Sequence, residues 1–182
     1  IMVDNPTEKD LYTVGTIAKI KVVRKKEGFM RVTFTGMRRA KLAKLYDSKD
    51  CMYADVIPLT DSYGDKSEEY ALVKKVVDKL DGMTQVAAVF PPEVVQQLSL
   101  GVNAESLGDQ FGQYFSLFDQ ATRQRLLETT NVNDRLMLIV EELEKQQRYS
   151  ELETVINDRV KERIDDGQKE YYLREKLKAI KE

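Results

Sequence analysis

At 182 residues, with 42% hydrophobic and 33% charged side chains, the chain can bury a real core while carrying much exposed helical surface, as one large domain or two small ones. It has no histidine and a single cysteine, which excludes Ser-His and Cys-His nucleophile pairs, a thiolate metal site and an internal disulfide. The formal net charge of −2 hides an asymmetry: Thr16 to Leu45 holds ten Lys or Arg against one acid, Glu27, a local +9 that leaves −11 for the rest.

The first part reads as β-structure. Thr16 to Arg24 is rich in Ile and Val, with Lys19 and Lys21 interleaved. Lys25-Lys26-Glu27-Gly28 is a turn of hairpin length. In Phe29 to Thr35, Met30, Val32 and Phe34 alternate with Arg31, Thr33 and Thr35, the period of a half-buried strand. Gly36 marks a bulge or bend before the next segment, Met37 to Tyr46. Asp47 to Asp50 is a turn, and Cys51 to Leu59 a further strand in which Cys51 is expected as a small core residue. Pro58 and the polar loop Thr60 to Lys66 end it.

From Ser67 the period becomes helical. Tyr70, Val73, Val76, Val77 and Leu80 are expected inward, with the cap and acids in Ser67-Glu68-Glu69 and the end at Asp81-Gly82. Pro91-Pro92-Glu93 opens a helix with apolar Val94, Val95, Leu98 and Leu100. Ser106 is the expected cap of the next, whose Leu107, Phe111, Tyr114, Phe115 and Phe118 form the centre of the helical core. A short helix around Arg123 to Glu128 follows. Asn131 or Asn133 then caps one with Leu136, Ile139, Val140 and Leu143. In Tyr149 to Glu182, 17 of 34 residues are charged, and Leu152, Ile156, Val160 and Ile164 step by four. One helix here would be roughly 50 Å long, with Gly167 its weak point and Glu170–Arg174 a supporting pair. A helix polar nearly all round bridges domains or awaits a partner.

Catalytic motifs are missing. None of the nine glycines precedes a lysine, so there is no phosphate-binding loop of the Gly-Lys-Ser/Thr kind. Asp61 and Asp65 around Gly64 lack the spacing of a calcium loop. Glu141 and Glu142 read as a solvated helix face. No run approaches the roughly 18 apolar residues of a membrane span, and Ile1-Met2-Val3-Asp4 has no signal-peptide features. Nor does it read as a natural start, so the chain is expected to begin inside a longer protein.

The run Gln168 to Glu182, QKEYYLREKLKAIKE, closely resembles the segment that leads into the ATPase module of Lon-type ATP-dependent proteases. Asp10 to Thr16 resembles the family's Leu-Tyr-x-Val-Gly-Thr strand entry. Gly36 to Ala40 resembles its Gly-x-x-Arg-Ala stretch, and Leu107-Gly108-Asp109 a Leu-Ala-Asp motif with Gly in the middle. Gln124 to Glu128 and Asp134-Arg135-Leu136 fit the later helices. The ordered matches span nearly the whole chain.

The resemblance implies an α+β fold: a partial PUA-like β domain at 1–62, lacking the family's first strands, a helical subdomain at 63–148 and a long helix at 149–182. It implies a cytoplasmic homohexameric parent with a Ser-Lys protease part, and with ATP and Mg in a motor that lies outside this fragment. The fragment itself is expected to carry no catalytic, cofactor or metal residues and to meet no membrane. Its expected partners are unfolded or damaged proteins, which expose apolar segments; Met suits promiscuous contact with them. Phe29 and Met30, beside the hairpin tip, are the first candidates, then Met37 and Met52. The alternative is a polyanion-binding module for DNA or polyphosphate, using Lys19, Lys21, Arg24, Lys25, Lys26, Arg38, Arg39, Lys41 and Lys44. The long helix is expected to space domains.

Overall fold

The structure, a computed structural model, describes residues 7–26, 28–46, 48, 51–83, 90–100 and 103–181. It divides into two units, Ile1–Val140 and Glu141–Glu182.

The first unit opens with an antiparallel three-stranded sheet in the order β1-β2-β3: β1 Val14–Lys26, β2 Phe29–Tyr46 and β3 Tyr53–Pro58. β-branched and aromatic residues supply the strand preference. Gly28, just before β2, has φ of 84°, which a side chain would disfavour. The two segments expected on either side of Gly36 are one 18-residue strand. The bend at Gly36 is real, however. Pairing passes from Ile17↔Arg38 to Ala18↔Gly36, leaving Met37 as a bulge, and a second shift leaves Lys21 unpaired. The expected turn at Asp47 to Asp50 lies almost wholly outside the described residues.

The half-buried strand is corrected. Met30 and Phe34 are each 60% exposed, and only Val32 is half-buried. Cross-strand partners share a face, so Met30, Val32 and Phe34 lie with Lys25, Val23 and Ile20. The alternation is present as read, but Met30 and Phe34 stay largely in water. Cys51 is likewise exposed rather than core.

The helical part comprises α1 Lys66–Asp81, α2 Pro92–Leu100, α3 Ala104–Tyr114, α4 Gln120–Glu128 and α5 Val132–Lys181. The caps differ in part from those expected. Asp65, not Ser67, accepts from the Glu68 amide, and Asn103, not Ser106, from that of Glu105. Asp119 caps α4. Of the two asparagines at α5, Asn131 is the cap, accepting from the Asp134 amide at 3.1 Å. In α1 the buried set is Leu72, Val76 and Leu80, and Tyr70 points out. Both sets have helical spacing, but the aliphatic one takes the core and leaves the phenol in water.

Phe111, Phe115 and Phe118 form the expected aromatic centre, joined by Phe90, with ring centroids 4.6 to 5.9 Å apart. Val76, Leu107, Leu126, Val132, Leu136 and Ile139 complete the core. The side chains of Leu98 and Leu100 lie outside the described set.

α5 is a single helix of 50 residues, continuous through Gly167. In the second unit, every described side chain from Gln147 onward is exposed, including Leu152, Ile156, Val160 and Ile164. The pair Glu170–Arg174 forms at 2.9 Å. Glu142 departs from the solvated reading: it is buried and meets Lys145 at 3.5 Å, whereas Glu141 is exposed.

Candidate functional site

The sheet is fixed to the helices by a polar girdle centred on the loop between β3 and α1. Arg135 of α5 is the bulkiest fully buried side chain. Its guanidinium meets both carboxylate oxygens of Asp61, at 2.6 and 3.3 Å, and Nε donates to the Thr129 carbonyl at 2.9 Å. Arg39 of β2 reaches the same Asp61 at 3.4 Å and also pairs closely with Asp109 of α3. One carboxylate thus serves two guanidinium groups, one from the sheet and one from the helices. Ser62 exchanges backbone bonds with Thr130 and Val132, and the Gln124 amide donates to the Val14 carbonyl at 2.9 Å. Asn133 is buried too, donating to the Asp65 carbonyl and to Glu68.

This girdle leaves a cleft of about 720 Å³ between the sheet and helices α3 and α4. Phe34, Met37 and Arg38 line it from β2, Asp109 and Gln113 from α3, and Arg123 and Leu127 from α4. The bulge turns Met37 out of the regular alternation, and it stays 60% exposed. A second hollow, about 1170 Å³, lies at the hairpin tip, lined by Arg24, Lys25, Lys26, Phe29, Met30, Arg31 and Val32. Phe29 is 83% exposed, the most of the large apolar side chains described.

The structure places Phe29 and Met30 at the same hollow, on opposite faces of the hairpin as successive strand residues must be, puts Met37 in the other hollow, and leaves Met52, exposed just before β3, in neither. The basic candidates also divide. Lys19, Arg24 and Lys26 share one face of the hairpin with Arg31, as their partners Thr35, Arg31 and Phe29 require. Lys25 lies on the opposite face, Lys21 at a bulge, and Arg38 in the cleft. Lys41 lies between Val14 and Ile57, and Lys44 stands 4.8 Å over the Tyr46 ring. Arg39 is committed to Asp61 and Asp109. Sequence reading overlooked Arg31, although its alternation with Met30 was the signal. It also overlooked Asp61 and Arg135 as partners, for which no local pattern exists.

Among the described residues no group of three or more His, Cys, Asp or Glu could hold a metal ion, and no helix is long and apolar enough to cross a membrane. On the β2–β3 edge the Tyr46 hydroxyl donates to Asp55 at 2.6 Å, and that carboxylate raises the phenol's pKa.

Residues 2–145 match the family described as the ATP-dependent protease La (LON) substrate-binding domain. The chain belongs to this family. Among full-length relatives, the Lon protease of Syntrophomonas wolfei is 34% identical over 97% of this chain, and that of Escherichia coli strain K12 is 31% identical over 97%. The chain spans only 22 and 23% of those Lon proteins. The N-terminal domain of Mycobacterium avium complex Lon protease has the same fold, with a TM-score of 0.63 over 76% of this chain and 74% of that one, at 23% identity. The α+β expectation, with a sheet followed by helices and a long C-terminal helix, agrees with this Lon fold.

Proposed function

We propose that this chain captures unfolded or damaged protein and delivers it to the motor of a Lon-type ATP-dependent serine protease, cutting nothing itself. The observation that carries this reading is the exposed pair Phe29 and Met30 beside the hairpin tip, backed by membership of a substrate-binding family. Large apolar side chains held out on a strand meet the apolar segments that unfolding exposes, and a flexible thioether adapts to many of them. Met37 and Met52 are the secondary contacts. In this reading ATP, Mg and the Ser-Lys dyad belong to other parts of a cytoplasmic homohexamer. The exposed stretch of α5 spaces the capture unit from the motor. Replacing Phe29 and Met30 by Ser in the full enzyme is expected to slow degradation of an unfolded protein several-fold while sparing cleavage of short peptides. Unchanged protein degradation would overturn the assignment.

A second reading, polyanion binding, draws on one specific observation. Arg24 and Arg31 stand directly opposite each other, with Lys26 next on the same face and Lys19 beyond the Val22–Thr33 pair. Like charges so placed repel, and an anion would relieve them. DNA or polyphosphate binding that is present at about 50 mM salt and falls steeply by 200 mM supports it; no binding at the lower salt removes it.

A further inference from the structure

We infer that the cleft between β2 and helices α3 and α4 holds an extended segment of the captured polypeptide that is both apolar and acidic; this rests on the substrate-capture reading above. Three observations converge. The first is apolar surface at the sheet side of the cleft: Phe34 and Met37 each remain 60% exposed, side by side with the bulge that displaces Met37. The second is charge. The lining includes three arginines, Arg38, Arg39 and Arg123, against one carboxylate, Asp109. Arg39 and Asp109 satisfy each other, and Arg123, half-buried at the cleft wall, is held by the carbonyls of Phe115 and Phe118. Arg38 is exposed. The cleft therefore presents net positive charge beside apolar surface, and a segment with a carboxylate near a large apolar side chain matches both. The third is hydrogen bonding. Gln113 and Gln120 line the same cleft with exposed amides that can donate to and accept from the main chain of any extended peptide. Main-chain contacts give affinity without regard to sequence, while the apolar and cationic groups set the preference.

The preference is tested on this chain by fluorescence anisotropy with three labelled peptides of equal length. One alternates Leu or Phe with Asp, one replaces Asp by Lys, and one replaces Leu and Phe by Ser. At low salt the acidic apolar peptide is expected to bind roughly fivefold or more tightly than the Lys peptide, the scale of two exposed ion pairs, and the Ser peptide weakest. Arg38→Glu is then expected to weaken the acidic peptide and strengthen the Lys peptide, an opposite pair of shifts that mere loss of structure cannot produce. Phe29→Ser at the hairpin tip should lower both affinities and leave their ratio alone. Equal binding of the acidic and Lys peptides, or an Arg38→Glu effect of the same sign on both, overturns the inference while leaving substrate capture standing. Failure of every peptide and of an unfolded protein to bind overturns both.

Discussion

Arg135 and Asp61 form a two-point ion pair, at 2.6 and 3.3 Å, across 74 residues of sequence, with the guanidinium 1% exposed. Such a pair adds little to stability over a well-packed apolar substitute, yet removing one member strands a buried charge. Asp61→Ala is therefore expected to cost about 3 kcal/mol, read as a lower urea midpoint, with Arg39 left to Asp109 alone. A change under about 0.5 kcal/mol, the range of ordinary surface substitutions, would show that the girdle does not hold the sheet to the helices.

Gly108 is where α3 lets this arginine pass. A Cβ there would stand 2.3 Å from the Arg135 Cδ, whereas one at Gly112, a turn later, meets nothing within 4 Å. Gly108→Ala should thus destabilise by about 1–3 kcal/mol through overpacking, and Gly112→Ala should stabilise by up to about 1 kcal/mol through helix propensity. Thermal unfolding of the two variants side by side reads the difference in sign.

Much of this was legible in the sequence, and the failures have physical causes. Strand alternation, the bend at Gly36 and the phenylalanine cluster follow from local periodicity. The caps at Ser67 and Ser106 were misplaced because Asp65 and Asn103, equally good caps, lie two and three residues upstream. Burial of Met30 and Phe34 failed because period two names the apolar face but not whether anything covers it. The Asp61–Arg135 pair and the cleft it frames join distant residues, and a single sequence carries no local mark of such a pairing.

Gly167 does not interrupt the helix, and beyond the local helix backbone no described atom lies within 4 Å of where its Cβ would be. Gly167→Ala should strengthen the local helix by about 1 kcal/mol. Amide hydrogen exchange over residues 160–175 should slow roughly fivefold at that energy. Unchanged exchange would place the weak point of α5 elsewhere.

Two phenols carry a pH signature. The Asp55 carboxylate, accepting from Tyr46, raises that phenol's pKa, and the neighbouring Cys51 thiol raises that of Tyr53. A raised folded pKa means that these contacts stabilise fully below the ordinary tyrosine value of about 10 and fade as pH climbs through the folded values. In a phenolate absorbance titration, Tyr46 and Tyr53 should ionise above the ordinary tyrosine value. Asp55→Asn should bring the Tyr46 value down, and an unchanged high-pH phase in that variant would contradict the pairing.

Substrate capture at the hairpin tip is most directly tested by site-specific photo-crosslinking. A photoreactive residue is placed at Phe29 and, as a control, at Tyr70, which is 75% exposed on α1. Each chain is then irradiated with a permanently unfolded protein. The account predicts adducts at position 29 that unlabelled unfolded protein competes away and the same protein in its folded form does not, with little reaction at position 70. Equal labelling at both positions, or labelling at 29 that no competitor reduces, would contradict it.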